Sequence, residues 1–166
     1  YPTSVSAFGR GFLVRRNADV AFLNLEFGKK FIFNLKVSWL DPVKTRSLVI
    51  VGNKKMIVFD DTQTNKIALF DSGVDFHEGK ESLPEGYQFM FRYGDLVFPH
   101  VPSNEPLMEV LENFIYSVNH RQQPLVKPLD SVNAVVIMEA AEYSLKRKGA
   151  KVNLRLGKNG FLSFKL

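Results

Sequence analysis

The sequence predicts an α+β fold: a mostly antiparallel β-sheet with two helices on one face and the other face open. Three observations support this. Apolar and polar residues alternate with period two in residues 19–70, two stretches of helical periodicity follow in residues 104–148, and strand patterns return near the end. Because strands and helices are grouped rather than alternating, we expect the helices on one side of an antiparallel sheet.

Length and composition limit the class of protein. With 166 residues, 45% of them hydrophobic, the chain can bury a core and is predicted to be one domain, residues 1–166. No apolar run is long enough to span a membrane. The absence of cysteine excludes disulfides and thiolate metal sites and favours a cytosolic, reducing setting. Because the chain starts without methionine, we expect it to be part of a longer protein.

The clearest strand pattern lies between Phe31 and Asp60. Apolar residues occupy every odd position from Phe31 to Trp39, which is typical of a strand with one buried face. Asp41-Pro42 ends that strand, because proline lacks the N–H that a ladder needs. We predict a three-stranded meander made of Phe31–Trp39, Thr45–Val51 and Lys54–Asp60, with a tight turn at Gly52-Asn53.

Strand candidates also precede this stretch, at Thr3–Phe8, Arg10–Val14 and Asp19–Phe27. The turn Gly28-Lys29-Lys30 allows two registers. A two-residue type II′ turn would pair Phe27 with Lys30, whereas a three-residue loop pairs Phe27 with Phe31 and aligns the apolar residues on one face. We predict the three-residue loop, because burial usually decides register.

Further strands are predicted at Lys66–Phe70, Gln88–Arg92, Leu96–Pro99, Lys151–Leu156 and Phe161–Leu166. Two helices are predicted between the strands Leu96–Pro99 and Lys151–Leu156. The first begins near Ser103 or Asn104 and ends near His120, with Leu107, Leu111, Phe114 and Val118 in one stripe. The second runs from Asp130 to Lys148, and Gly149 follows it. Its predicted core-facing residues are Val132, Val135, Val136, Ala140 and Tyr143.

The net charge of +5 raises the question of an anionic partner. The basic residues occur mainly at predicted turns and at a helix end, and the phenylalanines occupy strand positions. A nucleic-acid surface would need cations interleaved with exposed aromatic residues. Nucleic-acid binding is therefore the third and weakest hypothesis.

Catalytic and metal-site motifs are absent from the sequence. His77, His100 and His120 are isolated, with no partner at metal-ligand spacing. Gly9-Arg10-Gly11 lacks the third glycine and the strand-to-helix context of a dinucleotide fingerprint. Adjacent strand residues point to opposite faces, so Asp60-Asp61 is better explained as the start of a turn than as a carboxylate pair. We predict no catalytic, cofactor-binding or metal-binding residue.

Four residues are candidates for substrate binding. Lys44 and Arg46 share one face near a strand start and could bind a phosphate or carboxylate between them. Solvated charges that protect a sheet edge explain them about as well. Arg92 and Tyr93 place a cation beside an aromatic ring in a loop, where an ordinary polar turn is the alternative.

Several short motifs occur in a characteristic order: Trp39-Leu40-Asp41-Pro42-x-Lys44-x-Arg46, then Val51-Gly52-x-Lys54, Gly94-Asp95-x-x-x-Pro99, Glu105-Pro106-Leu107-x-Glu109 and the segment from Val136 to Leu145. In this order and spacing the sequence resembles the C-terminal sheet domain of the glucose–fructose oxidoreductase/inositol dehydrogenase family, in the branch that acts on sugars or sugar nucleotides. The resemblance covers about Asp19 to Leu156.

The resemblance implies a parent enzyme with an N-terminal Rossmann domain that binds NAD or NADP and carries the catalytic residues. None of the family's catalytic motifs is present in this chain, so no cofactor is expected here. It also implies a homo-oligomer formed through the open sheet face, where Val20, Phe22 and Ile32 interrupt the polar pattern. The leading hypothesis is thus a substrate-side and oligomerisation domain. A non-enzymatic assembly or binding domain is the alternative.

Overall fold

The computed structural model describes residues 1–13, 17–76, 89–102 and 104–165, without the side chains of residues 75, 76, 89 and 90. Two compact units are present: unit 1 comprises Tyr1–Asp41 and Pro106–Leu166, and unit 2 comprises Pro42–Glu105. In chain order the elements are β1 (Ser4–Arg10), β2 (Val20–Glu26), β3 (Ile32–Ser38), β4 (Ser47–Val51), β5 (Met56–Asp60), β6 (Ile67–Phe70), β7 (Gly73–Phe76), β8 (Phe89–Arg92), β9 (Leu96–Val97), α1 (Pro106–His120), α2 (Pro128–Lys146), β10 (Val152–Leu156) and β11 (Leu162–Phe164).

Unit 1 contains a five-stranded antiparallel sheet in the order β11-β10-β1-β2-β3. The predicted three-residue loop is confirmed. The Phe27 N–H donates to the Phe31 carbonyl at 3.0 Å, the two rings stack with centroids 4.3 Å apart, and Leu25 pairs with Phe33. Gly28 adopts φ +61° in the turn, a conformation that suits glycine. Burial of one face therefore decided the register.

The first strand differs from the prediction, because Ser4–Arg10 is continuous where two short strands were expected. Gly9 does not interrupt it. A Cβ on Gly9 would lie 2.7 Å from the Val20 carbonyl oxygen and 3.0 Å from the Leu145 side chain. Glycine is needed at this position for close approach of its neighbours rather than for a turn.

The core of unit 1 lies between this sheet and α2. Its buried apolar residues are Val5, Ala7, Leu25, Ala140, Ala141, Val152, Leu154 and Leu162. The predicted core face of α2 is partly wrong. Ala140 is buried and Val136 and Tyr143 pack at the margin, but Val132 and Val135 are 44% and 48% exposed.

Small and polar residues occupy the buried face of α2 in their place. Asn133 and Ser144 are fully buried and bind backbone groups of the sheet and of the segment that follows the helix. The Asn133 amide donates to the Gly160 carbonyl at 2.9 Å and accepts from the Leu162 N–H at 2.7 Å. Ser144 accepts from the Ala7 N–H and donates to the Ala150 carbonyl. A search for apolar periodicity passes over such residues.

The two helices of unit 1 differ in how they are covered. The predicted ends of α1 are nearly correct, but its stripe residues Leu107, Leu111, Phe114 and Val118 are 50–65% exposed. Among the described residues, α2 packs on the sheet with its buried face, whereas the apolar stripe of α1 stays exposed.

Unit 2 contains a four-stranded antiparallel sheet, β4-β5-β6-β9, and the two-stranded sheet β7-β8. The meander predicted over Phe31–Asp60 is wrong at its first connection. β4 pairs with β5 as expected, but β3 is an edge strand of the unit 1 sheet. Pro42 cannot donate to a ladder, and the connection of residues 39–46 is too long for a tight hairpin. The sheet therefore ends there. The expectation that both units together form one domain stays a prediction.

Candidate functional site

Arg46 lies in a small charged cluster at one end of the β4–β5 hairpin. Its guanidinium is 3.6 Å from an Asp61 carboxylate oxygen, and the Lys66 ammonium lies 3.2 Å from the other oxygen. The Asp61 N–H also donates to the Arg46 carbonyl at 3.0 Å. Lys66, followed by Arg46, holds the pKa of Asp61 below its usual value. The Asp61 carboxylate is thus shared between two cations.

The neighbouring Asp60 fixes the turn that carries this cluster. Its Oδ1 accepts from the Thr62 N–H at 2.9 Å and from the Thr62 hydroxyl at 2.6 Å. These hydrogen bonds to Thr62 lower the pKa of Asp60. The prediction that Asp60-Asp61 starts a turn is confirmed, and the arrangement is an Asx-type turn.

Lys44 is exposed, two residues before Arg46. Over the described parts of the chain its ammonium makes no hydrogen bond or ion pair. It is thus available to bind an anionic or hydroxylated group without breaking an existing contact. Arg46, by contrast, would have to share its guanidinium with Asp61.

Arg92 has several partners within unit 2. Its guanidinium pairs with the Asp71 carboxylate at 2.9 Å and donates to the backbone carbonyls of Asp71 and Lys54. This ion pair and hydrogen bond lower the pKa of Asp71. The structure thus gives Arg92 a role in joining three segments: the β4–β5 turn, the start of β7 and the end of β8.

Two glycines allow these segments to approach closely. A Cβ on Gly73 would lie 2.2 Å from the Asn53 carbonyl oxygen, and one on Gly94 would lie 2.5 Å from the Asp71 carbonyl oxygen. Sequence analysis noted the loop around Arg92 but missed this joining role. The available signal was the pair of glycines, because a glycine between polar residues often marks close backbone approach.

Tyr93 is 85% exposed beside Arg92. The four candidate residues therefore form two groups. Lys44 and Arg46 precede β4, whereas Arg92 contacts the turn that follows β4. A five-residue strand spans about 17 Å, so the groups lie at opposite ends of the hairpin. A single small ligand does not reach both, and the assignment of these residues to substrate binding stays a prediction.

The histidines add no site. His77 lies outside the described residues, and His100 is exposed. The His120 ring stacks on Tyr116 at 4.0 Å, and its Nδ1 lies 2.9 Å from the Tyr116 carbonyl. Among the residues that the structure describes, no group of three His, Cys, Asp or Glu could hold a metal ion. Within the same residues no helix is long and apolar enough to cross a membrane.

The described residues do not fit a dinucleotide. A Rossmann-type site needs a glycine-rich turn between a strand and a helix that points at the pyrophosphate. Gly9 instead lies within β1 and Gly11 directly after it, and the next described element is the strand β2, not a helix. Helix α2 follows Lys127 and Pro128, without a glycine turn.

The fold matches that of several dehydrogenases. Levoglucosan dehydrogenase in complex with NADH superposes with a TM-score of 0.66 at 11% identity over 92% of this chain and 44% of that chain. WlbA dehydrogenase from Bordetella pertussis, in complex with NADH and UDP-GlcNAcA, gives 0.61 at 17% identity over 94% and 41%. UDP-N-acetylglucosamine 3-dehydrogenase GnnA from Acidithiobacillus ferrooxidans gives 0.59 at 18% identity over 88% and 44%.

The chain thus spans less than half the length of these structures. No protein-family model matches the sequence, and no curated protein matches it significantly. At these identities the likeness establishes the fold. The resemblance predicted from the sequence is confirmed at that level, since the matching structures are dehydrogenases of the glucose–fructose oxidoreductase/inositol dehydrogenase type.

Proposed function

We propose that this chain is the substrate-side and oligomerisation domain of an NAD(P)-dependent oxidoreductase that acts on a sugar or a sugar nucleotide. The observation that carries the proposal is the fold. Almost the whole chain superposes on less than half of each of three dehydrogenases, two of which hold NADH. The substrates in their names are a sugar derivative and sugar nucleotides, which supports this class of substrate here.

The proposal divides the work of the enzyme between two parts. We infer that the cofactor and the catalytic groups would be supplied by another part of the parent, as the resemblance implies. There the nicotinamide would exchange hydride with a carbinol carbon of the sugar. This chain would contribute substrate contacts and subunit contacts. A cytosolic setting stays a prediction from the absence of cysteine.

The first test is a hydride-transfer assay on the full-length parent protein with NAD and NADP and a set of sugars and sugar nucleotides. We expect nicotinamide reduction that depends on the sugar, and none with the 166-residue chain alone. If the parent binds nicotinamide cofactor but oxidises no sugar, the alternative hypothesis, a non-enzymatic assembly or binding domain, would be favoured. Turnover by the isolated chain would contradict the division between the domains.

Lys44 is the candidate for direct substrate contact, because its ammonium is exposed and makes no interaction with the described residues. Substitution by alanine should raise the KM about tenfold or more with little change in kcat, as expected for the loss of a charge-assisted hydrogen bond. Lys158, an exposed lysine in the β10–β11 turn, is the matched control. An unchanged KM in Lys44→Ala would remove Lys44 from the site.

A further inference from the structure

We propose that Asn159-Gly160, in the turn between β10 and β11, is a site of spontaneous deamidation, and that its isoaspartate product releases β11 from α2. The inference concerns a covalent modification and does not depend on the proposed function. The dipeptide Asn-Gly occurs once in the sequence, at this position. Glycine after asparagine favours the reaction, because no Cβ hinders the approach of its backbone nitrogen to the side-chain amide.

The geometry of the turn places the reacting groups side by side. Residues 157–159 and 161 are exposed, and Gly160 adopts φ +83°, as in a three-residue hairpin loop. The Asn159 side chain folds back over the loop, since its Oδ1 accepts from the Phe161 N–H at 3.4 Å. A side-chain oxygen that reaches the amide two residues on forms an Asx turn. In such a turn the Asn159 Cγ lies beside the intervening nitrogen, that of Gly160.

One hydrogen bond of the folded turn opposes the reaction. The Gly160 N–H donates to the Gly157 carbonyl at 3.0 Å, and the nitrogen must lose this bond and its proton before it attacks. Because the turn is exposed, water can replace the Gly157 carbonyl as the acceptor. We therefore expect the folded chain to react, but more slowly than the chain unfolded in urea.

The chemistry needs only water and base. After losing its proton to base, the Gly160 nitrogen bonds to the Asn159 Cγ, and the bond from Cγ to Nδ2 breaks as Nδ2 takes a proton and leaves as ammonia. Water then opens the resulting succinimide at either carbonyl. Cleavage between the nitrogen and Cγ gives aspartate with the original main chain. Cleavage between the nitrogen and the backbone carbonyl carbon gives isoaspartate, whose main chain passes through Cβ.

The main chain after this turn is held by one buried side chain of α2. Asn133 is completely buried, donates to the Gly160 carbonyl at 2.9 Å and accepts from the Leu162 N–H at 2.7 Å. The Phe161 carbonyl accepts from the Gly157 N–H and so faces β10. The Leu162 N–H of the same trans peptide unit therefore points away from β10, towards Asn133.

An isoaspartate would disturb this arrangement, because it inserts an additional main-chain carbon directly before Gly160. Little space is available on the side of α2, since even a Cβ on Gly160 would lie 2.9 Å from the Leu129 Cδ2. We expect the Gly160 carbonyl and the Leu162 N–H to lose Asn133 as their common partner. Leu162 is only 5% exposed, so the loss would reach the core.

Peptide mapping by mass spectrometry tests the site, after incubation of the folded 166-residue chain in mildly alkaline buffer. Aspartate and isoaspartate should accumulate at Asn159 several times faster than at Asn53. Asn53 is the matched control, because it is exposed in the β4–β5 turn but is followed by Lys54, whose Cβ hinders the attack. Equal or slower reaction at Asn159 would overturn the proposal.

The structural consequence is tested on the isoaspartate form after chromatographic separation. We expect a lower urea midpoint than for the unmodified chain and faster hydrogen exchange of the Leu162 amide. Asn159→Asp carries the same charge without the additional main-chain carbon and should keep both properties. An isoaspartate form with the midpoint and the Leu162 protection of the unmodified chain would overturn the release of β11.

A double perturbation shows whether the damage acts through Asn133. In Asn133→Leu the contact is already absent, so the isoaspartate should lower the urea midpoint much less than it does in the wild-type chain. An equal decrease in both backgrounds would place the damage in the loop and contradict the role of Asn133. The Leu162 exchange rate in the wild-type background decides the same point if Asn133→Leu does not fold.

Discussion

The two faces of the unit 1 sheet are built from the same strands and differ in what covers them. On the face under α2, Val5 and Ala7 are completely buried. On the opposite face Phe22 is 45% exposed and Ile32 is 72% exposed. The polar pair Asn24 and Asn34 lies between them, joined by a hydrogen bond of 2.7 Å. Among the described residues, α2 covers one face, and Phe22 and Ile32 on the other face stay exposed.

The comparison separates contacts that specify the fold from apolar side chains that the described residues leave exposed. On the covered face, buried side-chain groups of Asn133 and Ser144 are bonded to the sheet and to neighbouring backbone. On the open face, apolar side chains meet solvent without forming a core. Exposed apolar groups rimmed by polar residues are typical of interaction surfaces. We therefore expect substitutions to affect folding on one face and association on the other.

The largest effect is expected from Asn133→Leu, which would leave the buried Leu162 N–H and Gly160 carbonyl without partners. The loss of stability should be about 2–4 kcal/mol, seen as a lower urea midpoint with an unchanged m-value. Asn119, an exposed residue of α1, provides the matched control, and Asn119→Leu should change stability by less than about 0.5 kcal/mol. Equal midpoints for the two variants would contradict the role of Asn133.

The next effect concerns Gly149, which follows α2 with φ +85°. An added Cβ would lie 2.1 Å from the Phe8 ring, so Gly149→Ala combines an unfavourable φ with a steric clash. We expect a loss of about 2–4 kcal/mol. Gly28 also has positive φ, +61°, but nothing lies near its added Cβ, so Gly28→Ala should cost about 1–2 kcal/mol. Thermal unfolding of both variants measures how much further stability Gly149→Ala loses through the clash with Phe8.

A smaller effect is predicted for Glu26, which lies at the open face. An ion pair and hydrogen bond from Lys151, followed by a hydrogen bond from the Ser4 hydroxyl, lower the pKa of Glu26. A depressed folded pKa stabilises the fold above the unfolded value of about 4.3, and this contribution is lost as pH falls through the folded pKa. Stability of Glu26→Gln should therefore fall less steeply in acid. Parallel curves for both proteins would contradict this linkage.

The strand register of unit 1 could be predicted from the sequence, because burial of alternate residues decides it. The register of Phe27 against Phe31 followed from placing apolar residues on one face, although the glycine suggested a tighter turn. The turn at Asp60 followed instead from local hydrogen bonds, which the Asp60 carboxylate accepts from Thr62. Such features depend on neighbours close in sequence.

Other features could not be predicted from the sequence, because contacts between residues distant in the chain determine them. Asn133 and Ser144 face the core because backbone groups far along the chain need partners, and no periodicity of α2 indicates this. Arg92 was predicted to be near substrate, yet its binding to Asp71 and to the Lys54 carbonyl depends on the meeting of three segments. The break after β3 was recognised at Pro42, but its consequence, a new sheet, depends on tertiary pairing.

The central claim, that the open face is completed by another subunit, is tested most directly by light scattering of the 166-residue chain. The account predicts the mass of a dimer or larger oligomer, and a monomer for Ile32→Lys, which places a charge on the exposed face. A monomeric wild-type chain would contradict self-association through this face. An oligomer that persists in Ile32→Lys would place the interface elsewhere.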